Sequence, residues 1–362
     1  MHPMIKPALR RSWRDKHTVR YGVTPSHSVL FGPLDTATEM FLTLLDGTRG
    51  LPTLREAAAS LGLGRAAADR LARQLAAAGV LDDATAQREA AAEVTDVLRP
   101  DLASLSLLDP EPGGGLRRLL DRRRAWVQVR GAGRVGLAVA LALAQAGVGR
   151  VEVVDGGRVE SVDLAAAGLR AEHVGQRRSV AARGMLRAAT PWRRARGAPP
   201  DAAARPGEPA GARLVIFAPR DGLAAYAPDP AVAEELVAAG TPHLYTGVVE
   251  ATGFVGPLVL PGATGCAGCL LRGRARTEPG WPLLVGQWRN ARSAGVPACD
   301  GALATAVAGL AACAALGFLD GTAPRGPAAR TEVALPGPTL TDQPVEPHAE
   351  CPCPAAQPAR AP

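Results

Sequence analysis

Residues 127–164 read VQVRGAGRVGLAVALALAQAGVGRVEVVDGGRVESVDL. Gly131, Gly133 and Gly136 form G-x-G-x-x-G between a strand expected at 126–130 and a helix-length run without charge from Val135. The first glycine permits a tight turn, the second lets backbone approach a diphosphate, and the third lets helix and strand pack closely. Asp155 ends the next strand-like run, 151–155, where a carboxylate can accept bonds from a ribose hydroxyl. Spacing alone fits NAD, ATP or a tight turn that holds no ligand.

The surrounding pattern alternates in the α/β manner. A helix is expected at 177–189, a Pro/Gly-rich loop at 198–211, a strand at 214–218, a helix at 231–239 and a strand at 244–249. A mostly parallel, doubly wound sheet is the natural solution. Upstream, residues 1–82 read as a small separate domain. The segments 17–23 and 27–32 suggest a hairpin with Val19 and Tyr21 on one strand, and three helices follow. Thr36 with Glu39 and Thr53 with Glu56 have capping-box spacing, while Gly47 and Gly79 stand where helices should stop. Two strands and three short helices make a winged-helix pattern. Residues 83–124 then read as a helical piece and a hinge-like linker, DPEPGGG, at 109–115. The α/β domain takes 125–353, and 354–362 is expected to be a disordered tail.

Composition narrows the function classes. The chain has 362 residues and a net charge of +7, but only Lys6 and Lys16 are lysines, and the arginines are scattered apart from 117–124 and an N-terminal arm. That is a compositional bias rather than a phosphate-binding stripe. The N-terminus lacks the apolar core of a secretory signal, so a cytoplasmic protein is expected. Residues 302–319 carry no charge, yet their Ala and Gly content argues for a buried helix and against a membrane span.

Six cysteines in such a chain argue for thiols or metal rather than disulfides. Cys266 and Cys269 have C-x-x-C spacing, and Cys351 and Cys353 lie close together near the C-terminus. Four thiolates would make a closed, structural zinc site. Cys299 or His348 is an alternative ligand, and two unrelated pairs of free thiols are the plainer alternative. Cys313, in the Ala-rich helix, reads as a small core residue.

The stretch 144–164 resembles the MoeB/ThiF family and the wider ubiquitin-activating superfamily, as do 172–192 and 238–269. The resemblance spans 126–353 and implies ATP on the glycine loop and adenylation of a C-terminal carboxylate. The departures are equally informative. Asp163 stands where the family has Asn, Ala166 where it has Arg and Arg178 where it has a phosphate-neutralising Lys. FAPRD, 217–221, replaces the acidic strand end that helps hold magnesium. Adenylation develops charge on phosphate and needs such groups aimed at it. A retained fold without the chemistry is therefore expected, with no catalytic residue assigned and Gly131, Gly133, Gly136, Asp155 and Arg178 as the nucleotide-facing set. The second cysteine pair is C-x-C where the family has C-x-x-C.

The whole layout is similar to a narrower group, the ThiF-like leader-peptide-binding proteins of azole and azoline peptide biosynthesis. The segments 5–15, 256–270 and 276–287 carry that similarity. It implies a recognition domain that holds the leader of a ribosomal precursor and presents its core to a YcaO cyclodehydratase acting in trans, with a homodimer as the expected assembly. Val19, Tyr21, Arg70, Leu71 and Arg73 are the candidate peptide-binding residues. Competing readings are an active adenylyltransferase, favoured by the intact loop, and a DNA regulator using Arg65, Arg70 and Arg73. Asp69 and the intervening alanines make those arginines a poor base-reading face. For an NAD oxidoreductase no convincing catalytic His or Tyr arrangement is present, and His173 and His243 read as local hydrogen-bonding residues.

Overall fold

The computed structural model describes residues 1–86, 88, 94–192, 213–291, 296–322, 328–337 and 339–356. The chain divides into two compact units, Met1–Arg122 with Pro191–Ala198, and Arg123–Thr190 with Pro199–Pro362. The expected loop at 198–211 and residues 357–362 of the expected tail lie outside the described residues; 354–356 form a short 3-10 turn.

In the first unit, β1 (Pro3–Ile5) pairs antiparallel with β5 (Leu81–Asp83), and β2 (Arg11–Asp15), β3 (Thr18–Tyr21) and β4 (Val29–Phe31) form an antiparallel sheet with β3 in the middle. The hairpin read from sequence is β3–β4, with Val19 opposite Phe31 and Tyr21 opposite Val29. Helices α1 (Thr36–Thr43), α2 (Leu51–Ser60) and α3 (Arg65–Ala77) follow. Neither capping box forms. Asp35 caps α1 by accepting from the Thr38 amide, and α2 starts two residues before Thr53, with Pro52 in its first turn. Gly79, at φ +71°, does follow the end of α3.

The expected linker at 109–115 is a packed corner of this unit. Lys6 is buried and its Nζ donates to the Asp109 carbonyl at 2.7 Å. The buried Asp82 carboxylate accepts from Ser106 Oγ at 2.8 Å and from the Gly113 amide at 2.7 Å. Arg118 Nε reaches Asp109 Oδ2 at 2.6 Å. Glycine and proline serve a tight, fully hydrogen-bonded turn here rather than a flexible spacer.

The second unit holds a seven-stranded sheet of order β12-β11-β10-β9-β8-β6-β7. The strands β6 (Trp126–Arg130), β7 (Arg150–Val154), β8 (Leu214–Phe217) and β9 (His243–Val249) run parallel. To β9 are added, antiparallel, β10 (Thr252–Val259), β11 (Ala328–Ala334) and β12 (Thr339–Val345). This is the expected Rossmann-like α/β architecture, extended by three strands that the sequence pattern did not resolve. Alternation in β6 buries Val127 and Val129 completely, each worth about 1.5–3 kcal/mol relative to an exposed position.

One core layer lies between the sheet and the helices Arg134–Gln145, Arg178–Ala189 and Gly301–Leu319. The opposite layer contains Val215, Phe217, Tyr245, Phe254 and four cysteines. Helix Gly301–Leu319 is long and apolar enough to cross a membrane; here Leu303, Val307, Ala311 and Leu319 are buried in the core. Cys313 corrects its expectation: it is exposed, because the buried face of that helix runs along other positions.

Candidate functional site

The glycine loop has the geometry its spacing predicts. Gly131 adopts φ +119°, which favours glycine, and its amide donates to the Val154 carbonyl at 2.9 Å. A Cβ at Gly136 would collide with the Gly131 carbonyl, so the helix beginning at Arg134 can pack against the turn only without a side chain there. Asp155 lies beside the loop, but the protein itself uses its carboxylate. Oδ2 accepts from the Ala132 amide at 2.9 Å, and Oδ1 accepts from the Gly157 amide at 2.8 Å and lies 3.5 Å from Arg178 Nη1.

Arg178 is buried and likewise committed. Its Nε and Nη2 donate to Asp163 Oδ2 at 3.0 and 2.8 Å. Asp163, 2% exposed, is held from the other side by Arg220, whose Nε stands 2.7 Å from Oδ1. Arg220 also pairs with Glu160 at 2.7 Å, and that bond, with the charges of Asp163 and Glu160, raises the guanidinium above its ordinary range. Arg134 reaches across to the carbonyls of Val162 at 2.9 Å and Cys299 at 2.7 Å. Gly133, Arg134, Asp163, Arg220 and Cys299 line a cavity of about 30 Å³. That is room for about one water, against the roughly 300 Å³ or more of small-ligand pockets.

Two departures noted in the sequence thus answer each other. An acid appears at 163 and a guanidinium at 220, and the two meet. Sequence reasoning flagged both segments without pairing them; the signal was their opposite sign.

The cysteines converge on the other side of the sheet. Cys266 stands at the N-cap position of helix Ala267–Thr277, without a capping side-chain bond, and Cys269 lies in its first turn, where the free amides and helix dipole favour thiolate. Cys351 and Cys353 approach from the C-terminal segment. The Sγ–Sγ distances are 3.9 Å for Cys266–Cys269, 3.6 Å for Cys266–Cys351 and 3.5 Å for Cys269–Cys353; all four are buried and their Sγ atoms lie within 4.8 Å of one another. A tetrahedron with metal–sulfur bonds of about 2.3 Å has edges of about 3.8 Å, so this set fits a zinc-type ion. A Cβ on Gly268 would stand 2.9 Å from Cys351 Sγ, so the small residue inside C-x-x-C lets the second pair approach.

The Cys266 thiol and the His348 amide, at 3.3 Å, both donate to Cys269, holding its thiol well below the ordinary range, while Cys266 is pushed up by that same neighbour. Neither substitute ligand joins the set. The Cys299 carbonyl is tied to the glycine loop, and the His348 ring accepts from the Glu350 amide at 3.3 Å.

The ThiF family model matches residues 112–354. The chain belongs to the ThiF family. Crystal structures of E. coli MccB share its fold: the complex with AMPCPP and MccA has a TM-score of 0.69 at 15% identity, covering 98% of this chain and 100% of that one. The ATP complex of E. coli MccB has a TM-score of 0.66 at 15% identity over 97% and 99% of the two chains. A crystal structure of PaaA gives 0.66 at 15% identity, over 94% and 99%. No curated protein matches by sequence.

The ThiF-type body is thus preceded by a first unit that these solved folds also span. Within it the peptide-binding candidates are dispersed. Val19 and Tyr21 are core residues, 0% and 1% exposed, on the middle strand β3. Their side chains and strand edges are not free, because β2, read in sequence as part of an N-terminal arm, occupies the second edge of β3. Among the described residues the edges without a strand partner belong to β2 and β4. Arg70 and Arg73 are exposed on α3, and Leu71 is half-buried. Of the two histidines, His173 Nδ1 accepts from the Arg170 amide at 3.0 Å, a local bond as expected. His243 is buried beside Phe217 and Tyr245, its Nδ1 near the Thr241 carbonyl at 3.1 Å and its Nε2 without a partner among the described residues.

Proposed function

We propose that this chain is a cytoplasmic, non-adenylating ThiF-family protein that binds the leader of a ribosomal precursor peptide and presents its core to a separate YcaO cyclodehydratase. The partner enzyme would spend the ATP, cyclising Cys, Ser or Thr onto the preceding amide. The observation that carries this reading is the Arg178–Asp163–Arg220–Glu160 ion network, which engages the charges a nucleotide would need. Zinc held by Cys266, Cys269, Cys351 and Cys353 would be structural, a closed set of four thiolates that ties the C-terminal segment to the body of the unit. The expected homodimer belongs to the same proposal.

Leader binding is assigned to the first unit. The strand β4 is paired on one side only among the described residues, and Leu30 on it is 49% exposed. Val29 and Phe31 of β4 pack against the same core as Leu71, Ala72 and Leu75 of α3, the helix that carries Arg70 and Arg73. Backbone bonds to the strand edge would give affinity and the arginines would favour an acidic leader. On this reading the docking edge is β4 rather than the Val19–Tyr21 strand.

The retained Gly131, Gly133, Gly136 and Asp155, with a fold shared by a protein crystallised with ATP, favour active adenylation as the second reading. ATP–pyrophosphate exchange separates the two. On the scaffold reading it stays at background with the precursor peptide present, and the peptide binds the full chain with an affinity weakened about tenfold by Arg70→Glu with Arg73→Glu. Exchange that is lost in Asp155→Ala establishes the adenylyltransferase instead.

A further inference from the structure

A second cavity, of about 380 Å³, lies between helix Ala267–Thr277 and the C-terminal half of β12. Its volume falls in the range of small-ligand sites, against about 30 Å³ at the glycine loop. Arg274, Arg276, Gln343, Glu346 and His348 contribute to its walls.

Arg274 is fixed in place by one of its nitrogens. Nη2 donates to Gln343 Oε1 at 2.5 Å, to Tyr226 Oη at 3.3 Å and to Glu332 Oε1 at 3.4 Å. Its Nε and Nη1 have no partner among the described residues. Arg276, two residues on and also in the wall, is exposed and has none among the described residues either. Directly opposite Gln343 in the β11–β12 ladder stands Arg330, 1% exposed, with Nη2 sealed and unpartnered. Its guanidinium lies 4.6 Å from the Tyr226 ring and 5.2 Å from the Phe254 ring, and burial pushes it down to about 10. Glu332 is the carboxylate that offsets this group, and it is already bonded to Arg274. Arg330 stands behind the cavity wall rather than in it, and at the wall itself Arg274 and Arg276 face one acid, Glu346, with guanidinium donors left over.

We infer that this cavity binds the terminal carboxylate of a short extended peptide, with Arg274 and Arg276 as its donors. The outer edge of β12 has no strand partner among the described residues, and residues 343–346 line the cavity. A peptide added along that edge would end against the arginines. Glu346 in the wall disfavours a dianion such as phosphate more than a monoanionic carboxylate. The site is independent of leader binding by the first unit, and its test uses neither leader nor cyclodehydratase.

The test is calorimetric titration of the full chain with acetyl-Gly-Ala-Ser as the free acid, with its carboxamide and with inorganic phosphate. Trp281, whose ring lies 5.5 Å from the Arg274 guanidinium, gives a fluorescence readout at the site. The free acid should bind saturably and the amide about tenfold more weakly. Arg276→Ala should weaken the acid about fivefold and Glu346→Gln should tighten it about twofold. Both positions are exposed, and unchanged melting of the variants certifies their fold. Equal binding of acid and amide, no saturation by about 10 mM, preference for phosphate, or indifference to Arg276→Ala each overturns the inference.

Discussion

The glycine loop and the cysteine cluster lie on opposite sides of one sheet, and both keep the spacing of a binding motif. They differ in what the rest of the chain does with their polar atoms. At the loop, Asp155, Arg178 and Asp163 are satisfied by amides and by one another, and Arg220 completes the set. At the cluster, four buried sulfurs have chiefly each other for company, at distances a metal would span. A motif is therefore a site only where its donors remain unspent.

The largest effect should come from the cysteines. Cys266→Ser with Cys269→Ser should abolish metal in the purified protein and lower the melting temperature by on the order of 10 °C, since metal binding at such a site is folding free energy. Metal analysis and a thermal melt decide it, and a metal-free wild-type chain with the same melting point would remove one half of the contrast.

Next in size is Asp163→Ala, which strands Arg178 and Arg220 against each other in a buried setting. The expected loss is about 3–5 kcal/mol by chemical denaturation. A loss below about 1 kcal/mol would mean that the network is incidental and the loop free to take a ligand.

The smallest effect concerns the strip that the cysteine layer shares with β8. Burial first, then the charge of Arg130, holds His243 below its ordinary value, with the Thr241 carbonyl opposing. The unfolded chain then takes up this proton before the folded one. Unfolding free energy should accordingly fall as pH drops below about 6.5, by at most about 1.4 kcal/mol per pH unit, and His243→Gln should flatten that slope. An unchanged slope in the variant would show that the strip is hydrated.

Legibility followed the range of the interactions involved. The G-x-G-x-x-G turn, β6 and the ThiF relationship were readable because they depend on local periodicity and on contacts within about thirty residues. The antiparallel strands β10–β12 and the corner at 109–115 were not, because β10 pairs with the distant β11, Val255 with Thr331, and the corner's Asp109 carbonyl is held by Lys6 from 103 positions away. Val19 and Tyr21 alternate on a strand as their spacing implies, but alternation does not say which strand is the middle one.

By itself, then, the sequence determined which residue types stand at the glycine loop, which four thiols are available, and that the two departures at 163 and 220 carry opposite charge. Only the tertiary structure decided that those charges meet across 57 positions, that Cys351 and Cys353 and not Cys299 or His348 complete the sulfur set, and that β2 covers one edge of β3. The reason is physical: local pattern sets what a segment can do, while burial and pairing with distant segments set which of its donors and edges remain free.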